Sequence, residues 1–387
     1  MIELLEKELF AEHPNKHVLL ELASIVSSGE PSALLYQVLK HLNLKFFPQI
    51  NRIEMMHTRM CNLACKYCFE LGGHRKDKMS LRVSKNAIDL LFDYSGDESE
   101  LNILHFGGEP MLAFNNVLQS TDYALELADK FHKNVSFDMT SNGTLLSHGR
   151  CRALADRGVK VLISLDGTEK DNDINRVDRR GRPTFQRVIR NLNRLSKYQS
   201  RIGIKMTVTS NVVSRIAESV VQLHEMGVHY FNIGYATGVD WSEADIKEYH
   251  LQLESLREIV SKESDFYITE LQPIANEAYY GCQAGRNSIC IDTNGDINPC
   301  AKILTSKSDN VPLMLGNVSV GLYGLKNRLS LVQPKDLKTA CERRGYSPYF
   351  GGCFATNQSE NGDPFIPCNL DHMFAASKRL IMRNQVY

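Results

Sequence analysis

Between Ile53 and Tyr235 the chain repeats one pattern, a short apolar run of β type followed by a helical stretch. The runs are Ile53–His57, Leu101–Phe106, Val135–Thr140, Val159–Leu165, Ile202–Thr209 and Val228–Tyr235. Helical periodicity falls near 81–94, 114–131, 147–157, 184–198 and 214–226, and again at 242–263. Strands separated by helices pair in parallel through right-handed crossovers rather than as hairpins. The expected class is therefore α/β, either a barrel-like closure with its polar strand ends on one rim or an open doubly wound sheet. Thr184 is a candidate N-cap, and Gly158 and Gly227 stand where helix C-terminal glycines belong. Residues 1–50 read as short helices, either a cap over the fold or a grip for a partner. After about residue 270 the rhythm changes to hairpin signals such as Asp292-Thr293-Asn294-Gly295-Asp296. The expected division is 1–50, 51–268 and 269–387.

Composition narrows the function classes. The 387 residues carry 45 basic and 45 acidic side chains, a formal net charge of zero. Such balance gives no electrostatic case for nucleic acid or an anionic membrane as main partner. The opening Met-Ile-Glu-Leu-Leu-Glu-Lys-Glu-Leu is acidic where a signal peptide is basic, and no apolar run reaches the roughly 18 residues of a membrane helix. A cytoplasmic location is expected, where thiols stay reduced. Yet there are 10 cysteines, which in a reducing compartment point to metal or catalysis.

Their placement is uneven. Cys61, Cys65 and Cys68 form a C-x3-C-x2-C loop directly after the first strand, Cys151 is alone in a helix, and Cys282, Cys290, Cys300, Cys341, Cys353 and Cys368 lie near the C-terminus. Three thiolates on one loop suit a cubane whose fourth iron keeps an open position. The alternative is structural zinc with His57 or His74 as fourth ligand. The next strand ends in Gly107-Gly108-Glu109-Pro110, where glycines admit close approach of the main chain and a carboxylate suits a cation. Asn142-Gly143 and Asp166-Gly167 end the following strands; each is either a ligand contact or a plain turn former. Arg176 is either a ligand contact or a solvated ion-pair residue.

The C-x3-C-x2-C loop with Tyr67 before the last cysteine resembles the radical S-adenosylmethionine (SAM) superfamily. The resemblance implies a partial (β/α)6 barrel. It also implies a 4Fe-4S cluster held by Cys61, Cys65 and Cys68, with the amino and carboxylate groups of SAM on the open iron. Reductive cleavage of SAM then gives a 5′-deoxyadenosyl radical that abstracts a substrate hydrogen. By the same resemblance Gly107, Gly108 and Glu109 meet the methionine ammonium of SAM, and Tyr67, Asn142, Ser164, Asp166 and Arg176 complete its site. No catalytic acid or base is assigned.

The C-terminal cysteines resemble the SPASM/twitch extension of radical SAM peptide maturases. Cys282, Gly295 and Cys300 keep its opening spacing, whereas Arg344 and Phe350 stand at two later cysteine positions. Neither side chain ligates iron, so one auxiliary 4Fe-4S cluster is expected. Cys282, Cys300 and Cys353 are its main ligands, and Cys290, Cys341, Cys368 or substrate supplies the fourth, unless these are core thiols or a zinc ribbon. The stretch from Asp171 to Phe185 is similar to the maturase group, which implies a precursor peptide as substrate. A flavodoxin- or ferredoxin-type electron donor completes the expected partners. A crosslink such as a cyclophane is the expected product, with thioether formation, epimerisation or an anaerobic sulfatase-maturase-like reaction as alternatives. Sulfatase maturases carry an Asp base directly after the cysteine of their Pro-Cys unit; here that residue is Ala301. A non-enzymatic iron–sulfur carrier or zinc adaptor is the competing class.

Overall fold

A computed structural model describes residues 33–68, 76–263, 265–272, 282–305, 313–332, 353–371, 373–374 and 377. The expected helices before residue 33, together with His74 and Cys341, lie outside them. In chain order the elements are α1 (Ala33–Phe46), β1 (Arg52–Met56), α2 (Leu81–Tyr94), β2 (Glu100–Phe106), α3 (Phe114–Phe131), β3 (Asn134–Ser141), α4 (His148–Ala155), β4 (Val159–Ser164), α5 (Glu169–Asn175), α6 (Phe185–Leu195) and β5 (Ile202–Val208). They continue with α7 (Ile216–Glu225), β6 (Val228–Tyr235), α8 (Glu243–Ser255), α9 (Arg257–Lys262), β7 (Tyr267–Ile268), β8 (Ser288–Ile291), β9 (Asp296–Asn298), β10 (Gly316–Asn317), α10 (Leu325–Val332) and α11 (Phe354–Asn361).

The chain divides into two compact units that interleave along the sequence. One comprises Met1–Arg59, Lys76–Phe137 and Gln283–Lys338; the other comprises Met60–Arg75, Asp138–Cys282 and Thr339–Tyr387.

In the first unit the strands run in the order β10-β9-β8-β1-β2. β1 pairs in parallel with β2 and β8, whereas β8–β9 and β9–β10 are antiparallel. The hairpin expected around Gly295 is the β8–β9 turn, with Gly295 at φ +93°. Strand β1 buries Ile53, Met55 and Met56 completely. Ser80 caps α2 through the Val83 N–H at 3.2 Å. A separate apolar cluster joins Leu35, Leu39 and Leu42 of α1 to Leu325 of α10. Beside it the buried Arg328 guanidinium donates to Asn43 Oδ1 and to the carbonyls of Gly285 and Arg286.

In the second unit β4, β5, β6 and β7 pair in parallel in that order. Parallel pairing sets the C-terminal ends of these strands on one edge, where polar side chains gather. Gly158 and Gly227 adopt φ of +71° and +92° after α4 and α7, as expected. Thr184 stands at the N-cap of α6 but makes no side-chain cap; Asp173 Oδ1 instead accepts from the N–H groups of Thr184 and Phe185 at 2.9 and 3.0 Å. The residue that caps this helix comes from α5, which the sequence pattern did not mark.

Candidate metal and cofactor site

In the second unit the loop Cys61–Cys68 is fixed largely by its backbone. Ala64 N donates to Val177 O at 2.9 Å, Lys66 N to Asn175 O at 3.0 Å, and Cys68 N to Cys65 O at 3.1 Å, which closes a tight turn. Arg179 Nε holds the carbonyl of Cys61 at 2.8 Å. The three cysteines are half-buried. Leu63, between the first two, is buried and anchors the loop.

Asn142, expected at a ligand, holds this loop. Its Nδ2 donates to Asn62 Oδ1 at 2.9 Å and approaches Cys61 Sγ at 3.7 Å, while its Oδ1 accepts from Thr144 N and Oγ1. Asn62 Nδ2 in turn donates to Thr144 Oγ1 at 2.8 Å. An N–H aimed at a thiolate sulfur is the outer-shell contact that tunes a cluster ligand. Sequence reasoning missed Asn62, Thr144 and Arg179. The only signal was their position, beside a cysteine or in a turn.

Tyr67, Asp166 and Arg176 form a second array behind the cysteines. The Tyr67 hydroxyl donates to Asp166 Oδ2 and accepts from Arg176 Nη1. Arg176 Nη1 also lies 3.5 Å from Asp166 Oδ1, which accepts the Thr207 N–H at 2.9 Å. Asp166 is 2% exposed and Arg176 8%. Burial pushes the Asp166 carboxyl up, opposed by the Arg176 charge. Burial drives the Tyr67 phenol well above its ordinary value, so it remains a protonated donor. The Cys65 thiol is also pushed up by burial, against the pull of Arg176. A bound metal would draw its proton. Arg176 is thus a buried ion-pair residue, and the described residues accept no hydrogen bond from its Nε or Nη2. Ser164, the last residue of β4, is half-buried, and its hydroxyl makes no hydrogen bond to the described residues. This donor set fits the expected cofactor: three thiols on one turn, one fork edge for a carboxylate and a hydroxyl.

The first unit holds the glycine loop. Gly107 has φ +139°, and a Cβ there would stand 2.3 Å from the Thr58 carbonyl. Gly108 N donates to that same carbonyl at 2.8 Å. Glu109 is 1% exposed and caps the turn Pro110–Ala113 by accepting from Met111 N at 3.0 Å. His57, weighed as a zinc ligand, has both ring nitrogens engaged, with His105 Nδ1 at 2.8 Å and Asn116 Oδ1 at 3.2 Å. Burial lowers its pKa to about 4.

Among the other cysteines, Cys290 is completely buried in an apolar cluster with Met56, Ala301 and Leu304. Burial, with Glu54 and Cys300 nearby, holds its thiol well above the ordinary range. That is the setting of a core thiol and speaks against the ligand role expected for it. Cys300, in the same unit, is half-buried. In the other unit Cys282 and Cys353 are half-buried and Cys368 is buried, its thiol pushed up to about 12 by burial and Asp371. Asp371 accepts from Cys353 N at 2.7 Å and from the Tyr235 hydroxyl at 2.6 Å. Cys151 is buried in α4, as expected of a structural thiol.

Residues 55–213 match the family described as the radical SAM superfamily. The chain is 28% identical over 314 residues to the uncharacterized protein MJ0907 of Methanocaldococcus jannaschii, covering 80% of this chain and 96% of that one. It is 21% identical over 330 residues to the antilisterial bacteriocin subtilosin biosynthesis protein AlbA of Bacillus subtilis, covering 81% and 69%. It is 27% identical over 177 residues to the serine-type anaerobic sulfatase-maturating enzyme of Klebsiella pneumoniae, and that match spans 44% of each chain. The fold is shared with anSMEcpe solved with AdoMet and the Cp18Cys peptide, at a TM-score of 0.70, 17% identity and coverage of 87% of this chain and 96% of that one. It is shared too with Streptococcus suis SuiB bound to its precursor peptide SuiA, at a TM-score of 0.59, 16% identity and coverage of 92% and 86%. Among the described residues no helix is long and apolar enough to cross a membrane. A three-cysteine loop closed by backbone bonds, set against a buried Tyr–Asp–Arg array, makes physical sense of these matches: residues 55–213 are a radical SAM domain, and the protein is an enzyme that works with a 4Fe-4S cluster and S-adenosylmethionine.

Proposed function

We propose that this enzyme modifies a ribosomally made peptide or protein, with a crosslink as the product. The observation that carries the site reading is the cysteine turn lying against a guanidinium whose remaining fork has no acceptor among the described residues. Kinship with AlbA and with sulfatase-maturating enzymes, and the fold of a protein solved with a precursor peptide, support the peptide as substrate class. Ala301 after Cys300 carries no proton acceptor, which disfavours a sulfatase-type reaction.

When bound, the cluster and SAM supply a 5′-deoxyadenosyl radical. Cys61, Cys65 and Cys68 would hold the cluster, and SAM would bind at it. Arg176 and Ser164 take the SAM carboxylate, a planar fork suiting that group. Gly107, Gly108 and Glu109 serve its ammonium. Tyr67 and Asp166 keep the guanidinium charged and oriented, and Asn142 steadies the first sulfur. One auxiliary cluster is assigned to Cys282, Cys300 and Cys353. A flavodoxin- or ferredoxin-type donor supplies the electron.

The test is anaerobic purification followed by reduction with SAM present. The native enzyme is expected to release 5′-deoxyadenosine, and the Cys61→Ala/Cys65→Ala/Cys68→Ala variant none; cleavage persisting in the variant contradicts the loop's role. Co-expression with short peptides encoded beside the gene, read by mass spectrometry, tests the product: loss of two hydrogens marks a crosslink, and an unchanged mass with inverted stereochemistry overturns it.

A further inference from the structure

We propose that the arginine-rich hairpin after α5, with the first turns of α6, forms the docking surface for the acidic face of a one-electron carrier protein, resting on the cluster proposed for the cysteine loop of the same unit.

In a chain of zero net charge, residues 176–190 hold six arginines and one acid, Asp178. Arg179, Arg180, Arg182, Arg187 and Arg190 are exposed. Arg180, Arg187 and Arg190 make no ion pair among the described residues, and Arg182 pairs with Asp178 at 2.7 Å. Folding does not ask for this grouping. Arg187 stands in the first turn of α6, which has no acid there, so its charge opposes the helix dipole. Arg187 and Arg190, three residues apart on one helix face, also repel each other. Cations kept against the interest of their own helix suit an external anion.

The hairpin is closed by hydrogen bonds and joined to the cysteine turn. Val177 and Pro183 bridge antiparallel, and Asp178 N donates to Arg182 O at 2.9 Å. Asp178 Oδ1 accepts from the Arg180 and Arg182 N–H groups at 2.8 and 3.0 Å. At the tip, a Cβ on Gly181 would meet nothing within 4 Å, so the arginines beside it stand clear of the chain. On the other side Leu63 bridges Asp178, Ala64 N reaches Val177 O at 2.9 Å, and Arg179 Nε holds the Cys61 carbonyl at 2.8 Å. Lys66, inside the cysteine turn, is exposed as well. A basic surface hydrogen-bonded to the peptide of a cluster ligand offers an electron a short route, and electron transfer slows steeply with distance.

An acidic carrier fits such a surface. Electron-transfer partners meet briefly over small interfaces, and complementary charge raises their association rate more than their affinity. A basic patch on an otherwise balanced protein steers the carrier to the side where the cysteine turn lies. In the encounter the carrier's anionic flavin hydroquinone gives up one electron and becomes the neutral semiquinone. The cluster is reduced by that electron, and no proton changes hands.

The experiment follows the reduced-cluster EPR signal of the holoenzyme in anaerobic freeze-quenched samples. Reduced flavodoxin serves as the carrier, and photoreduced deazariboflavin as an uncharged chemical reductant. Arg180→Glu/Arg187→Glu/Arg190→Glu is expected to lower the second-order rate constant with flavodoxin roughly tenfold or more at low ionic strength. High salt should slow the native enzyme and narrow the gap. With deazariboflavin, both proteins should be reduced, and should cleave SAM, at the same rate. An unchanged rate with flavodoxin overturns the proposal. So does an equal loss with both reductants, because the arginines would then act on the cluster or on a peptide substrate. If the Glu variant does not fold, Arg180→Gln/Arg187→Gln decides, with a smaller loss expected and a native rate counting against the surface. A native enzyme that deazariboflavin reduces and flavodoxin does not overturns this surface alone; one that deazariboflavin cannot reduce overturns the cluster reading beneath it.

Discussion

Arg176 is a buried ion-pair residue to which the proposed function also gives the SAM carboxylate. Its charge compensates the buried Asp166 carboxylate, and Tyr67 bridges the two. Removing one partner of such a buried pair leaves the other uncompensated, at a cost of about 3–5 kcal/mol. Arg176→Met is therefore expected to lower the apparent Tm of the holoenzyme by several degrees and to weaken SAM binding. Arg176→Lys should recover part of the stability but little of the affinity, since an ammonium cannot present two parallel N–H groups. Differential scanning calorimetry and equilibrium dialysis with SAM separate the two effects; equal recovery of both by Lys would contradict the fork's role. From sequence, Arg176 had two readings, ligand contact and ion pair. The structure makes it an ion pair, buried rather than solvated, and the two readings do not exclude each other.

Among the elements, the parallel strands and most helices follow from periodicity, and α2 and α3 begin and end where the pattern puts them. α5 does not. It is seven residues long, polar except for Ile174, and its N-cap Thr168 makes no side-chain cap, so neither amphipathic period nor cap signal marks it. At the end of β2 the glycine pair was read as room for a ligand. The nearer reason at Gly107 is its own chain, because the Thr58 carbonyl occupies the space of a Cβ and φ is +139°. Gly107→Ala is expected to cost roughly 1–3 kcal/mol through backbone strain alone. It should also displace Gly108 N from the Thr58 carbonyl, seen as faster amide exchange at Gly108. Unchanged stability and exchange would show that the loop is not held this way.

For the whole molecule, iron counting is the sharpest measure of how the cysteines divide. The variant lacking Cys61, Cys65 and Cys68 is expected to retain about four iron atoms per chain, one cubane's complement. Cys290→Ala should leave the native count unchanged, since its thiol packs among Met56, Ala301 and Leu304. Eight atoms in the triple variant would mean two auxiliary clusters; a loss of four on Cys290→Ala would restore that residue as a ligand. Sequence alone determined the α/β class, the cysteine loop after the first strand and the β8–β9 hairpin, because periodicity, spacing and turn chemistry are local. Only tertiary structure decided which polar groups are already paired. Asn62 with Asn142, Tyr67 with Asp166 and His224 with Glu263 are far apart along the chain, and whether a side chain meets ligand, partner or water is set by what folding brings beside it.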